Sequence, residues 1–299
     1  MKKFVPLLLM FLFSFSVYAQ QLRVVCTTAE IADIVKNVGG DKVEAIWLMD
    51  GRQDPHSVEP RPSMVIKARD ADAVAVIGMD LDMWMDGVIR ASRNPKIQKG
   101  NQGYIDLSEK IDKLEVPEGK VDGSMGDVHV YGNPHYWLNP ENGAVMAATI
   151  SERLSVIDPD NTSFYTANMM TYNRLLEKKA GEWKKAMEVF KGVPVLPTHN
   201  CWLYFIEYFG MESTGYLESK PGIYPSPREL VALSEKMKAQ GTKIIFAEPF
   251  YPSAAVEKLS EMTGAKVVRV PSSSRGAEGT ETYIGLFDYV VKNLSESVK

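Results

Sequence analysis

At 299 residues, 45% of them apolar, the chain is longer than one small hydrophobic core usually serves, which points to two lobes. Its 34 basic and 38 acidic side chains leave a formal net charge of −4 with no Lys/Arg run, so a nucleic-acid or anionic-membrane partner gains no support. Two cysteines are too few for a disulfide framework, and only four histidines are present.

The first element is a secretory signal peptide by pattern: Met1-Lys2-Lys3, an apolar run from Phe4 to Val17, and the small-residue end Val17-Tyr18-Ala19. The apolar run falls short of the roughly 20 residues that span a bilayer, so cleavage after Ala19 is expected rather than retention as an anchor. No Cys stands directly after the cleavage point, where Gln20 follows Ala19. The sequence therefore predicts a mature protein free in the periplasm, without a lipid anchor, with a net charge of about −6 once Lys2 and Lys3 are gone.

Short runs rich in β-branched residues follow at Leu22–Thr28, Val43–Met49, Ala73–Ile77 and Gly103–Leu107, separated by stretches with helical periodicity. Pro117–Gly132, rich in glycine and poor in periodic apolar residues, reads as a mobile loop. Asp158-Pro159-Asp160-Asn161 then starts a helix whose apolar residues recur at Met169, Tyr172, Leu176, Ala180, Trp183, Met187 and Phe190. Continuous from Asn161 to Lys191 it would be about 45 Å long, enough to join two lobes, with Gly181 as its one weak position. The strand pattern returns at Pro194–Thr198, Thr214–Leu217, Lys243–Glu248 and Lys266–Val270, and a polar loop runs from Pro271 to Gly279. The alternation predicts an α/β protein of two βα lobes, each with a mostly parallel four-stranded sheet, joined by one long helix. The divisions fall at 1–19, 20–157, 158–192 and 193–299.

Three histidines stand in Asp54-Pro-His56-Ser-Val-Glu59-Pro60, Asn133-Pro-His135-Tyr-Trp-Leu-Asn139-Pro140 and Pro197-Thr-His199-Asn-Cys201-Trp202. They are too far apart for a local finger or a helix chelate, so each would reach a metal ion from a different element. Neutral imidazole suits Zn²⁺ well, and in open α/β sheets ligands bind beyond the carboxyl ends of strands, where His56 and His199 fall. A single histidine is more often an ordinary packed residue; it is their joint placement that points to metal. His129 stands between ligand and non-ligand. Cys26 and Cys201 read as buried free thiols, Cys201 also being a weaker candidate ligand. Glu59, Asp82 and Glu248 read as loop-holding or imidazole-orienting groups, and Tyr136, Trp137, Trp202, Tyr204 and Phe205 as core.

These motifs, with Gly40-Asp41, Gly51, Ala71-Asp72, Gly78-Met-Asp-Leu-Asp82-Met-Trp84, Ile244-Ile-Phe-Ala-Glu248-Pro249 and Thr263-Gly264, occur in an order that resembles the solute-binding proteins of zinc and manganese ABC transporters across nearly all of the mature chain. The resemblance implies two βα lobes joined by a long helix, metal in the cleft between them, and a membrane permease as partner. It matches His56 and His135 to the two first-lobe ligands and His199 to the second-lobe ligand, which is His in zinc-type members and commonly Glu in manganese-type ones. The sequence departs from the pattern where many members supply a last-strand Asp: here the stretch reads Val270-Pro271-Ser272-Ser273-Ser274. The fourth position is left to His129, Glu278, Glu281 or water. The expected function is capture of Zn²⁺ by a monomer that delivers it to the permease, with affinity falling as histidines protonate. Mn²⁺, Fe²⁺ or a metal chelate as cargo, and a zinc hydrolase with Glu59 as base, are the alternatives.

Overall fold

The computed structural model describes residues 21–119, 129–218 and 223–297. The signal peptide expected at 1–19 and most of the glycine-rich loop, 120–128, lie outside them.

The first lobe is built from β1 (Leu22–Thr28), α1 (Ala29–Gly39), β2 (Val43–Met49), α2 (Pro62–Arg69), β3 (Ala73–Val76), α3 (Trp84–Ser92) and β4 (Tyr104–Asp106). Its sheet has the order β2-β1-β3-β4, parallel throughout, with Val24 opposite both Ala45 and Ala73. β1 and β3 are central and apolar on both faces, as strands covered by helices on two sides must be. The chain then enters α4 (Pro140–Ile157), whose start combines Pro140 in the first turn with an Asn139 side chain accepting from the Glu141 N–H.

The long helix, α5 (Thr162–Met187), has 26 residues and spans about 39 Å. Short 3₁₀ turns at Pro159–Asn161 and Glu188–Phe190 extend it at both ends, so its reach matches the sequence expectation. Gly181 lies where an added Cβ would meet nothing, which is why it interrupts no packing.

The second lobe holds β5 (Pro194–Pro197), α6 (Leu203–Phe209), β6 (Glu212–Ser213), α7 (Pro227–Gln240), β7 (Ile244–Ala247), α8 (Ser253–Thr263) and β8 (Lys266–Arg269), in the parallel order β6-β5-β7-β8. One strand departs from the expectation. β6 ends before Thr214, because Gly215 at φ +129° breaks the extended run, yet the chain stays beside β5 through Leu217 N–H to Pro197 O and Glu218 N–H to Thr198 O, both 3.0 Å.

The last helix, α9 (Tyr283–Ser297), packs against α1 and α5. Trp183 stacks on Phe287 at 4.9 Å and donates from Nε1 to Asp288. Helices α4, α5 and α9 thus join both sheets into one hydrophobic core running from Val24 through Trp137 and Trp183 to Phe246. Among the described residues no helix is long and apolar enough to cross a membrane.

Candidate metal centre

Each sheet has a point where the strand order reverses, between β1 and β3 in the first and between β5 and β7 in the second, and such a crevice is where open α/β sheets hold ligands. The first is plugged from within: buried Asp82 accepts from Thr27 Oγ1, Ile77 N–H and Gly78 N–H, and burial pushes its carboxyl up to about 6. The second carries His199, two residues beyond β5, and Glu248, directly beyond β7. Glu248 accepts from Trp202 Nε1 at 2.6 Å, Cys201 Sγ at 2.9 Å and Thr198 Oγ1, so it holds the loop that presents His199. That is the supporting role expected for Asp82 and Glu248. Cys26 and Cys201 are both free and buried, burial raises both thiols, and neither belongs to the cluster of metal-capable donors among the described residues.

His56 stands on a one-turn 3₁₀ helix, Pro55–Ser57, beyond β2, where the Asp54 side chain accepts its N–H at 2.9 Å. His135 is buried and held from beneath, because Tyr136 donates to Ile77 O and Trp137 Nε1 to Ser272 O, both at 2.7 Å. The Asn133 side chain orients it twice, Oδ1 lying 3.0 Å from both its N–H and its Nδ1. Asn133 Nδ2 donates to Asn200 O and Glu115, which settles which amide atom faces the imidazole. Nδ1 of His135 therefore carries the proton, and Nε2 presents its lone pair to the cleft.

The donor nitrogens of His56, His135 and His199 all lie within 4.8 Å of one another. The Nε2 atoms of His56 and His135 are 3.2 Å apart, close to the about 3.3 Å that a tetrahedral centre with Zn–N bonds of about 2.0–2.1 Å imposes. His199 completes the triangle, its ring centroid 5.2 Å from that of His56 and 5.4 Å from that of His135. Burial pushes His56 down to about 4 and His135 further below its usual range, helped by the neighbouring imidazoles, so both stay neutral and able to coordinate. Burial works against a charge on His199, but the carboxylates of Glu218, Glu248 and Asp54 together outweigh it and the net shift is upward.

His129 brings its ring to 5.1 Å from His56 without joining the three-nitrogen group. Glu278 and Glu281 belong neither to the three-nitrogen group nor to the lining of the cavity beside it. Both are exposed, because the turn after β8 closes on itself through Arg275 N–H to Thr280 O and Glu281 folds back onto the Gly279 N–H. In their place Ser272 lines the cavity, and Ser273 and Ser274 are tied to the first lobe. Glu59, the base named for the hydrolase alternative, is exposed and does not line the cavity.

The cavity beside the three imidazoles measures about 380 Å³ and reaches Arg52, Asp54, Tyr224 and Tyr251. Among the lining residues that the sequence reading did not single out is Glu218, its Oε2 2.7 Å from His199 Nδ1. The available signal was its place at the end of the β-rich run Thr214–Leu217, the same carboxyl-end position that marks His199.

The model of the family described as zinc-uptake complex component A, periplasmic (ZnuA), matches residues 24–297. A manganese ABC transporter substrate-binding lipoprotein, PsaA of Streptococcus anginosus, is 28% identical over 291 residues, covering 93% of this chain and 90% of that protein. A metal ABC transporter substrate-binding lipoprotein, SsaB of Streptococcus sanguinis, is 28% identical over 94% of this chain and 90% of its own length. Among solved structures, ZnuA superposes with a TM-score of 0.78 at 23% identity, over 94% of this chain and all of that one. A Mn-bound periplasmic metal binding protein from candidatus liberibacter asiaticus gives 0.76 at 21% identity, over 93% of this chain and all of that one. These neighbours share the two-lobe α/β fold. The relatives named lipoproteins do not bear out the expectation of a chain without a lipid anchor; the first cysteine here, Cys26, is a buried residue of β1.

Proposed function

Since the chain belongs to the family of the periplasmic zinc-uptake component A, and is thereby a metal-binding component of an ABC transporter rather than an enzyme, we propose that its cargo is Zn²⁺, held between the lobes by His56, His135 and His199. The observation that carries this reading is the approach of three imidazole nitrogens, from both lobes, to within 4.8 Å. Nitrogen donors suit Zn²⁺, whereas Mn²⁺ prefers oxygen-rich shells, and none of the three residues is a carboxylate. Capture needs little rearrangement: two rings are already neutral, and His135 is preoriented by Asn133. The fourth position goes to water or to His129. Delivery to the permease requires only that the lobes or the cleft loops separate by the few ångströms that break coordination. The protein works in the periplasm as a monomer, exported by the segment 1–19, with lobes at 20–157 and 193–299 joined through 158–192, and without a nucleic-acid partner.

Mn²⁺ is the second reading, favoured by the relatives named as manganese transport proteins. Metal analysis of the purified protein, with competitive titration of Zn²⁺ and Mn²⁺, decides between them. The His199→Ala variant should lose high-affinity binding of either ion; binding at wild-type strength would remove the second-lobe ligand.

A further inference from the structure

The two lobes orient their imidazoles by different chemistry. In the first, His135 Nδ1 meets a neutral amide, Asn133 Oδ1, at 3.0 Å. In the second, His199 Nδ1 lies 2.7 Å from Glu218 Oε2, and the two side chains are only 15% and 8% exposed. A carboxylate oxygen only accepts, so Nδ1 of His199 holds the proton and Nε2 is left with its lone pair for the ion. Resting on the metal-capture reading above, we infer that Glu218 is the positioning residue of the second-lobe ligand. Through His199 it sets the tautomer, ring angle and donor strength of that imidazole, without touching the ion itself.

Three observations support this. Glu218 N–H donates to Thr198 O at 3.0 Å, so the carboxylate and the imidazole rise from neighbouring, hydrogen-bonded stretches of backbone whose separation cannot drift. No Glu218 oxygen belongs to the group of donor atoms lying within 4.8 Å of one another, as a ligand would. The three imidazoles bring no negative charge, and an anion bonded to one of them is the means by which such a shell becomes more basic. A more basic nitrogen donor matters more to Zn²⁺ than to Mn²⁺, which lies at the weak end of the affinity series. Glu218 therefore also biases the site toward zinc.

The test is titration of the purified full protein with Zn²⁺ and with Mn²⁺, together with the visible absorption spectrum of its Co²⁺ form, for wild type, Glu218→Ala, Glu218→Gln and His199→Ala. Glu218→Ala should weaken Zn²⁺ binding by about 10- to 100-fold, the usual cost of losing an outer hydrogen-bond partner. Glu218→Gln keeps the acceptor and the shape, so it should recover part of that loss and remain folded even if the alanine variant does not. Both should lose more affinity for Zn²⁺ than for Mn²⁺, and both should keep the Co²⁺ band intensity that reports an unchanged number of ligands. Zn²⁺ binding by Glu218→Gln and Glu218→Ala within twofold of wild type would overturn the proposal, and so would a Co²⁺ spectrum showing that a ligand has been lost. Failure of His199→Ala to weaken binding would instead overturn the metal-site reading on which it rests.

Discussion

His129 and His135 sit six residues apart, yet their surroundings differ enough to separate their roles. His135 is buried, doubly held by Asn133 and braced by Trp137, whereas His129 is only half-buried and its ring lies 5.1 Å from that of His56. Replacing His135 with Ala should weaken Zn²⁺ binding by more than about 100-fold, beyond the range of outer partners, while His129→Ala should stay within about tenfold. Equal losses in calorimetric titration would make His129 a full ligand. The three principal imidazoles were legible in the sequence because each follows a rigid motif with few competing residue types. Glu218 was not, because a glutamate in a polar stretch looks like a solvated surface group until β5 and the chain after β6 are laid side by side. For the same reason Glu278 and Glu281 looked eligible: composition shows a carboxylate, but only the closed turn from Arg275 to Thr280 shows that it faces solvent.

The elements that hold these residues meet closely. Gly51, in the loop between β2 and His56, donates its N–H to Ser274 O at 2.8 Å, and a Cβ at this position would overlap the Ser273 carbonyl. Backbone cannot swing aside as a flexible side chain does, so Gly51→Ala should push the loop after β8 away from the loop that carries His56. A lower melting temperature together with weaker Zn²⁺ binding is the expected outcome. If melting falls while affinity is untouched, the contact serves the fold alone. Strand positions were largely readable, since buried parallel strands appear as short apolar runs; β6 was not, because one glycine at φ +129° outweighs the β-rich residues around it.

Across the whole molecule, the lobes are tied by polar contacts that sit inside the core. Glu30, at the start of α1, is fully buried and accepts from the Ser274 N–H at 3.2 Å and from Ser273 Oγ at 3.4 Å. Burial pushes its carboxyl up to about 7 from an unfolded value near 4.5. A raised carboxyl favours the folded state fully below about pH 4.5, and that contribution is lost as pH climbs to about 7, at a cost of about 3 kcal/mol. The buried imidazoles of His56 and His135 act with the opposite sign over the same range, so the contribution of Glu30 is read as the difference in melting temperature between metal-free wild type and Glu30→Gln, which should shift against the wild type from pH 5 to pH 8. Asp82, raised to about 6, and the histidines titrate in both proteins and drop out of that difference. An unchanged pH dependence in the variant would mean that the carboxyl is solvated in the folded protein. The interlobe contacts also include Trp137 to Ser272 and Tyr283 N–H to Asp33, so motion on delivery is expected in the loops of the cleft more than in α5.

The order of apolar runs and breakers, and the few histidines in rigid motifs, were enough to determine a two-lobe α/β chain with a long connecting helix and a metal-binding character. Periodicity and local backbone restriction act within a few residues, so they survive in the sequence itself. Which carboxylates line the cavity beside the histidines and which face water was decided only by the tertiary structure. Contacts such as Glu218 with His199, Glu30 with Ser274 and Gly51 with Ser273 join residues far apart along the chain, and nothing local encodes their meeting.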